Sequence, residues 1–133
     1  MEKIKKVFIE KSALEIATIL YEIAIDNKAE NIVLLDVKKI SGFADYFLIM
    51  NGRSTRHVQG LASAFDQKLS RKRLSNSKAE GLDEGQWVLL DFNDVIVHIF
   101  YYEQRQVFDL DGLWHDAPRV DLSKLITQEE APK

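Results

Sequence analysis

The apolar positions of this chain fall into alternating runs of helical and strand period. From Ser12 to about Lys28, Leu14, Ile16, Ala17, Leu20, Ile23 and Ala24 recur at spacings of three and four and form one stripe of an amphipathic helix. Ser12 and Glu15 stand at the spacing of a capping box, in which side chain and backbone satisfy each other's free N–H groups. Ile32 to Val37 is a nearly continuous apolar run, as expected of a strand covered on both faces. The link from Lys38 to Asp45 is too short for a crossover helix, so the next strand, Tyr46 to Met50, is not a simple parallel neighbour of the first. Asn51-Gly52 is expected to turn the chain. Ser54 then caps a second helix running to about Arg73, with Val58, Leu61, Ala62, Phe65 and Leu69 as its buried stripe. Gly60 inside that helix costs ~1 kcal/mol relative to Ala and is expected to mark close packing.

The densest pattern lies from Gly85 to Trp114. Two apolar strands flank Phe92-Asn93-Asp94, where Asn and Asp tolerate the left-handed backbone of a hairpin turn. With Asn93-Asp94 as the loop, Phe92 opposes Val95, Asp91 opposes Ile96, Leu90 opposes Val97, Leu89 opposes His98, Val88 opposes Ile99 and Trp87 opposes Phe100. Side chains alternate between faces along a strand. One face is then Val88, Leu90, Val97 and Ile99, which is core. The other carries Trp87, Leu89, Asp91, Ile96, His98 and Phe100, a mixture that suits a surface meeting a partner. Glu103 to Phe108 reads as a helical turn or short helix, and Leu113 with Trp114 as core. After Pro118 only isolated apolar residues remain, which reads as a frayed tail. The chain is expected to be one α/β domain with a mixed sheet and flanking helices over residues 1–118, followed by a flexible tail over 119–133.

Composition narrows the classes. A chain of 133 residues is about one domain, and 46% apolar with 29% charged residues is ordinary for a globular protein. The absence of cysteine excludes disulfides and thiolate metal sites and fits a reducing cytoplasm. No apolar run approaches the ~20 residues of a membrane span, and Met1-Glu2-Lys3-Ile4-Lys5-Lys6 lacks the apolar stretch of a signal peptide. A cytoplasmic location is expected. The formal net charge of -3 argues against a nucleic-acid binder that works through bulk electrostatics. Any RNA contact must use a local patch or come through a protein partner.

Few residues offer chemistry. Asp109 and Asp111 share one face if they lie on a strand, and such a pair can hold a divalent metal in nucleotidyl transfer. That chemistry also wants a Gly-Ser phosphate turn and usually a third acid, and Ser41-Gly42 has the wrong order. Two solvated acids flanking Leu110 is the favoured reading. Arg53, Arg56 and His57 follow a strand and open a helix, a place where free N–H groups meet anions, but without a GxGxxG or P-loop pattern. They offer an anion site, or a basic patch for RNA or for a protein carboxylate. His57, His98 and His115 have no metal-ligand spacing. Arg71-Lys72-Arg73 is most simply the cationic end of a helix. For Trp87, partner contact and core are evenly balanced.

Three motifs then carry a resemblance. The first is Ala44-Asp45-Tyr46-Phe47-Leu48-Ile49 leading to Gly52, Ser54 and Arg56-His57-Val58. The second is Glu80-Gly81, Trp87 to Asp91 and Asp94 to His98. The third is Arg105, Leu110, Asp111, Leu113 and Trp114; the earlier Leu34-Leu35-Asp36-Val37 also fits. In order and spacing the chain resembles the ribosomal silencing factors, the Iojap-like family, over about residues 10 to 118. Val107-Phe108 stand where Phe-Tyr is common, and Gly60 where Ala is usual. The resemblance implies a fold related to nucleotidyltransferases without their acidic catalytic set, and a role that is not enzymatic and needs no cofactor or metal. It implies binding to the large ribosomal subunit through that subunit's protein fourteen, blocking of subunit joining, and repression of translation. Trp87, Leu89, Asp91, Asp94, Ile96, His98 and Asp111 are the expected partner-binding residues. Arg53, Arg56 and His57 are candidates for a minor rRNA contact, and a homodimer in the free state is compatible with this reading. The rival from another class is a metal-dependent nucleotidyltransferase using Asp109 and Asp111.

Overall fold

A computed structural model describes residues 12–42, 44–68, 84–92, 94–108 and 117–122. The elements run α1 (Ala13–Asp26), β1 (Glu30–Asp36), β2 (Tyr46–Gly52), α2 (Thr55–Lys68), β3 (Trp87–Asp91), β4 (Val95–Tyr101) and α3 (Tyr102–Phe108). The capping box that opens α1 is formed in both directions. Glu15 N–H donates to Ser12 Oγ at 3.2 Å, and Ser12 N–H donates to Glu15 Oε1 at 2.9 Å. The helix ends in a Schellman motif. Lys28 takes a left-handed backbone (φ 64°), its N–H reaches the Ile25 carbonyl at 3.0 Å, and the Ala29 N–H reaches that of Ala24 at 3.0 Å.

Among the described residues four strands form one mixed sheet in the order β1-β2-β4-β3. β1 and β2 are antiparallel, as the short link from Lys38 to Asp45 requires, while β2 and β4 run parallel. β3 and β4 pair antiparallel with Trp87 opposite Phe100, Val88 opposite Ile99, Leu89 opposite His98, Leu90 opposite Val97 and Asp91 opposite Ile96, the register expected from the turn residues. Both faces of the sheet are buried. The larger core packs Leu34, Leu48, Met50, Val88, Leu90, Val97 and Ile99 against Ile16, Leu20 and Ile23 of α1 and Val58, Leu61 and Phe65 of α2. Leu35, Val37, Phe47, Ile49, Ile96, Phe100 and Ala117 make a smaller cluster on the other face. Each fully buried Leu, Ile or Phe is worth about 1.5–3 kcal/mol, so packing across the sheet rather than helix propensity holds α1 and α2 in place.

Three local expectations are corrected. Asn51 and Gly52 do not turn the chain but continue β2, because Gly52 lets the start of α2 fold back onto the strand. A Cβ at Gly52 would lie 2.7 Å from Val58 Cγ2 and 3.0 Å from Val58 N. Close packing therefore belongs to Gly52 and not to Gly60, which is exposed and has nothing within 4 Å of where its Cβ would be. Gly60→Ala is accordingly expected to stabilise the protein by about 0.5–1 kcal/mol, because it removes backbone freedom from the unfolded chain without a clash. Urea unfolding of the single variant checks this. A loss of stability would mean that α2 meets something at Gly60.

The third correction concerns the chain after Pro118. Its first residues are tied down: Asp36 N–H donates to the Pro118 carbonyl and Val120 N–H to the Leu34 carbonyl, both at 2.8 Å. Arg119 thus pairs antiparallel with Leu35 at the outer edge of β1, and Val120 and Leu122 pack on the larger core. The cause is the unpaired edge of β1, which gives these residues a ladder to join. Residues 123–133, Leu69 to Arg73 and the segment holding Asp109, Asp111, Leu113 and Trp114 lie outside the described residues.

Candidate functional site

The second sheet face carries an aromatic group that the β3–β4 register assembles. Trp87 sits directly across from Phe100 and stacks on it, with ring centroids 5.1 Å apart and planes 26° from parallel. His98 lies beside them, 6.0 Å from the Trp87 ring and edge-on to Phe47 at 5.0 Å. Trp87 Nε1–H donates to His98 Nδ1 at 3.2 Å. That bond makes Nδ1 the acceptor and places the proton of the neutral imidazole on Nε2. Nε2 is buried without a hydrogen-bond partner. Burial holds the imidazole neutral and pushes its pKa down to about 4.

This face divides by strand. β4 is paired on both sides, so Ile96 (6% exposed), His98 (5%) and Phe100 (0%) are interior. Among the described residues β3 is the last strand of the sheet, and Trp87, Leu89 and Asp91 are half-buried, as is Asp94 in the turn. The expectation that all six side chains of this face form a contact surface is therefore corrected. Ile96 and His98 lie beneath, and Trp87, Leu89, Asp91 and Asp94 are the partly exposed residues of the set. Alternation along the strand finds the face, but only the sheet order tells an edge strand from a central one.

Arg53 and His57 line a different place, an open groove of about 750 Å³ between the end of α1 and the start of α2, while Arg56 does not line it. Arg53 Nε is paired with Glu30 Oε2 at 2.7 Å. His57 is used on both ring nitrogens: Nδ1 accepts from Arg53 N–H at 2.9 Å, and Nε2 meets the Asn27 carbonyl at 2.9 Å. The His57 backbone N–H goes to Ser54 Oγ at 3.0 Å, the cap expected from the sequence. Asp26 and Glu30 balance Lys28 and Arg53 along the groove wall. His57 thus clamps α2 to α1, while Arg53 and Arg56 are both exposed.

Arg105 has a role that spacing alone does not reveal. From α3 its Nη1 donates to Asn51 Oδ1 at 2.6 Å and to the Asn31 carbonyl at 3.0 Å. It thereby satisfies the buried Asn51 (3% exposed) and ties α3 to the two strands at its side. Its place in the third motif follows from this long-range bond. Among the described residues no group of three or more His, Asp or Glu side chains is arranged to hold a metal ion. Among them no helix is long and apolar enough to cross a membrane.

Comparison with known proteins decides the family. The family described as "Ribosomal silencing factor during starvation" matches residues 10–133. The chain belongs to the ribosomal silencing factor family. Ribosomal silencing factor RsfS of Bacillus subtilis is 42% identical over 113 residues, 85% of this chain and 93% of that one. The Mus musculus protein "Mitochondrial assembly of ribosomal large subunit protein 1" is 28% identical over 89 residues, 65% of this chain and 39% of that one. A crystal structure of a Chromobacterium violaceum protein superimposes with a TM-score of 0.70 at 29% identity, covering 79% of this chain and 88% of the other. One from Bacillus halodurans gives 0.67 at 32% identity, covering 81% and 98%. These silencing factors are regulatory proteins associated with ribosomes and translation, and the single mixed α/β domain is the fold they share.

Proposed function

We propose that this protein docks on the large ribosomal subunit through that subunit's protein fourteen, on the face that meets the small subunit, and blocks joining. Translation is then repressed by occupancy rather than by catalysis. Two partners that need the same space exclude each other, so each lowers the apparent affinity of the other. The observation that carries this reading is the half-buried Trp87 and Leu89 beside Asp91 and Asp94, an apolar centre with an acidic rim. The acids suit a basic ribosomal protein; Asp111, outside the described residues, is a further expected contact. The name of the mouse relative, which refers to the large ribosomal subunit, supports the choice of subunit. In this reading the protein acts in the cytoplasm, needs no cofactor, and makes a minor rRNA contact at most, through Arg53, Arg56 and His57.

Co-sedimentation with separated subunits tests the assignment. The protein is expected to pellet with large subunits and to stay in the supernatant with small ones. Pelleting with small subunits alone, or with neither, would overturn it.

A further inference from the structure

We infer that His98 is a positioning residue for docking: its Nδ1 holds the Trp87 indole stacked on Phe100 and commits the indole N–H to the inside of the domain, so that the indole offers the ribosomal protein carbon surface alone. This rests on the proposed docking role of Trp87 and adds what sets that side chain and what kind of group it takes.

The strand pairing puts His98 within reach of the indole. Trp87 faces Phe100 and Leu89 faces His98, so His98 is the diagonal neighbour of Trp87 across the pair. Aromatic side chains span that diagonal. His98 is the fixed member of the two. Its backbone lies between two ladders, opposite Ile49 of β2 and Leu89 of β3. Its ring is edge-on to Phe47 at 5.0 Å and nearly parallel to Phe100, 12° apart in plane at 6.5 Å. Trp87 is the first residue of β3 and half-buried. A donor at the start of a strand thus meets an acceptor held by the middle of the sheet, at 3.2 Å.

Packing does not account for an imidazole at this place. The buried cluster on this face includes Phe47, Ile49, Ile96 and Phe100. A phenyl ring would fill the position without a polar atom. The imidazole instead leaves Nε2 buried with no hydrogen-bond partner, which costs free energy. What a phenyl ring lacks is the acceptor that takes Trp87 Nε1–H. That N–H is the single hydrogen-bonding group of an indole. Once His98 holds it, the ring has no donor left to aim at a partner's carbonyl or carboxylate. The complementary group is apolar, an aliphatic side chain or the methylene stem of a Lys or Arg.

A double-mutant cycle on binding to purified large subunits, at neutral pH and with full-length protein, tests this. His98→Phe is expected to weaken binding roughly three- to tenfold, the order expected when one large side chain must be ordered on docking. In a Trp87→Ala background the same change is expected to have no effect, because His98 acts through the indole. His98→Asn restores an acceptor, with Oδ1 in the place of Nδ1, and is expected to bind within about twofold of wild type. A packing role predicts the reverse order, since Phe fills the site and Asn does not. Deuterium exchange of the indole N–H in the unbound wild type needs no variant of His98. The Trp87 signal, identified by its loss in Trp87→Phe, is expected to exchange at least about tenfold slower than a free indole. Equal losses in both backgrounds, unchanged binding by His98→Phe, binding by His98→Asn as weak as that of His98→Phe, or an indole proton that exchanges like a free one would overturn the positioning role while leaving the ribosomal role standing. Trp87→Ala that binds as tightly as wild type would overturn it together with the place of Trp87 in the contact. Absence of wild-type binding to large subunits would remove both the positioning and the ribosomal role.

Discussion

Replacing Trp87 by alanine is expected to weaken binding to large ribosomal subunits about thirtyfold. A central aromatic residue at an interface commonly costs ~2 kcal/mol or more on truncation, and about 1.4 kcal/mol is a factor of ten in affinity. Trp87 is half-buried at the edge of the sheet, so it has area left to give a partner. Its indole is also held ready, stacked on Phe100 and bonded to His98, and a side chain already fixed loses little freedom on binding. Those same contacts mean that the variant loses some stability. Trp87→Phe separates the two effects, because it keeps a ring against Phe100 and gives up the Nε1–H bond to His98. A folded Trp87→Ala protein with cooperative melting and weak binding is the expected result. Unchanged affinity, or a chain that no longer melts cooperatively, would remove Trp87 as the centre of the contact.

The second large effect is acid sensitivity from His98. The imidazole titrates at about 4 in the folded protein because it is buried, against an ordinary value of 6.5. Between those values the unfolded chain binds a proton that the folded one does not. Stability is therefore full above pH 6.5 and declines as the pH falls toward 4. The loss over that window is about 3 kcal/mol, because each tenfold difference in proton affinity between the two states corresponds to about 1.4 kcal/mol. His98→Phe keeps an aromatic ring against Phe47 and Phe100 but does not titrate. Urea unfolding of the two proteins at pH 7, 5.5 and 4.5 isolates the histidine, since the carboxylates are common to both. The difference in stability between them should shrink or reverse in favour of the variant as the pH falls. A constant difference would mean that His98 charges in place, with its environment solvating the imidazolium.

Local order in the chain was legible where one element sufficed to determine it. Ser12 and Glu15 announce the start of α1, and the link from Lys38 to Asp45 forbids a parallel β1–β2 pair. Phe92-Asn93-Asp94 fixes the hairpin register, which decides that Trp87 meets Phe100 and Leu89 meets His98. What remained hidden depends on neighbours distant in sequence. The parallel pairing of β2 with β4 makes β4 central, and that alone buries Ile96 and His98 while Trp87 and Leu89 stay within reach. Gly52 looked like a turn because its close contact, Val58, belongs to the next element. Arg105 gave no local signal, since its partners Asn31 and Asn51 lie on β1 and β2. Arg53 and His57 read as an anion site from their position before a helix. Glu30 and Asn27, brought in from the end of α1 and the start of β1, take up the groups that such a site would use.

Subunit joining measured by light scattering is the most direct test of the ribosomal role. Purified small and large subunits are mixed at a magnesium concentration that favours joined ribosomes, with this protein added in increasing amounts to the large subunits beforehand. The expected result is a fall in the joined fraction that saturates near one protein per large subunit, with Trp87→Ala needing far more protein for the same effect. An unchanged joined fraction at saturating occupancy of the large subunit would contradict it.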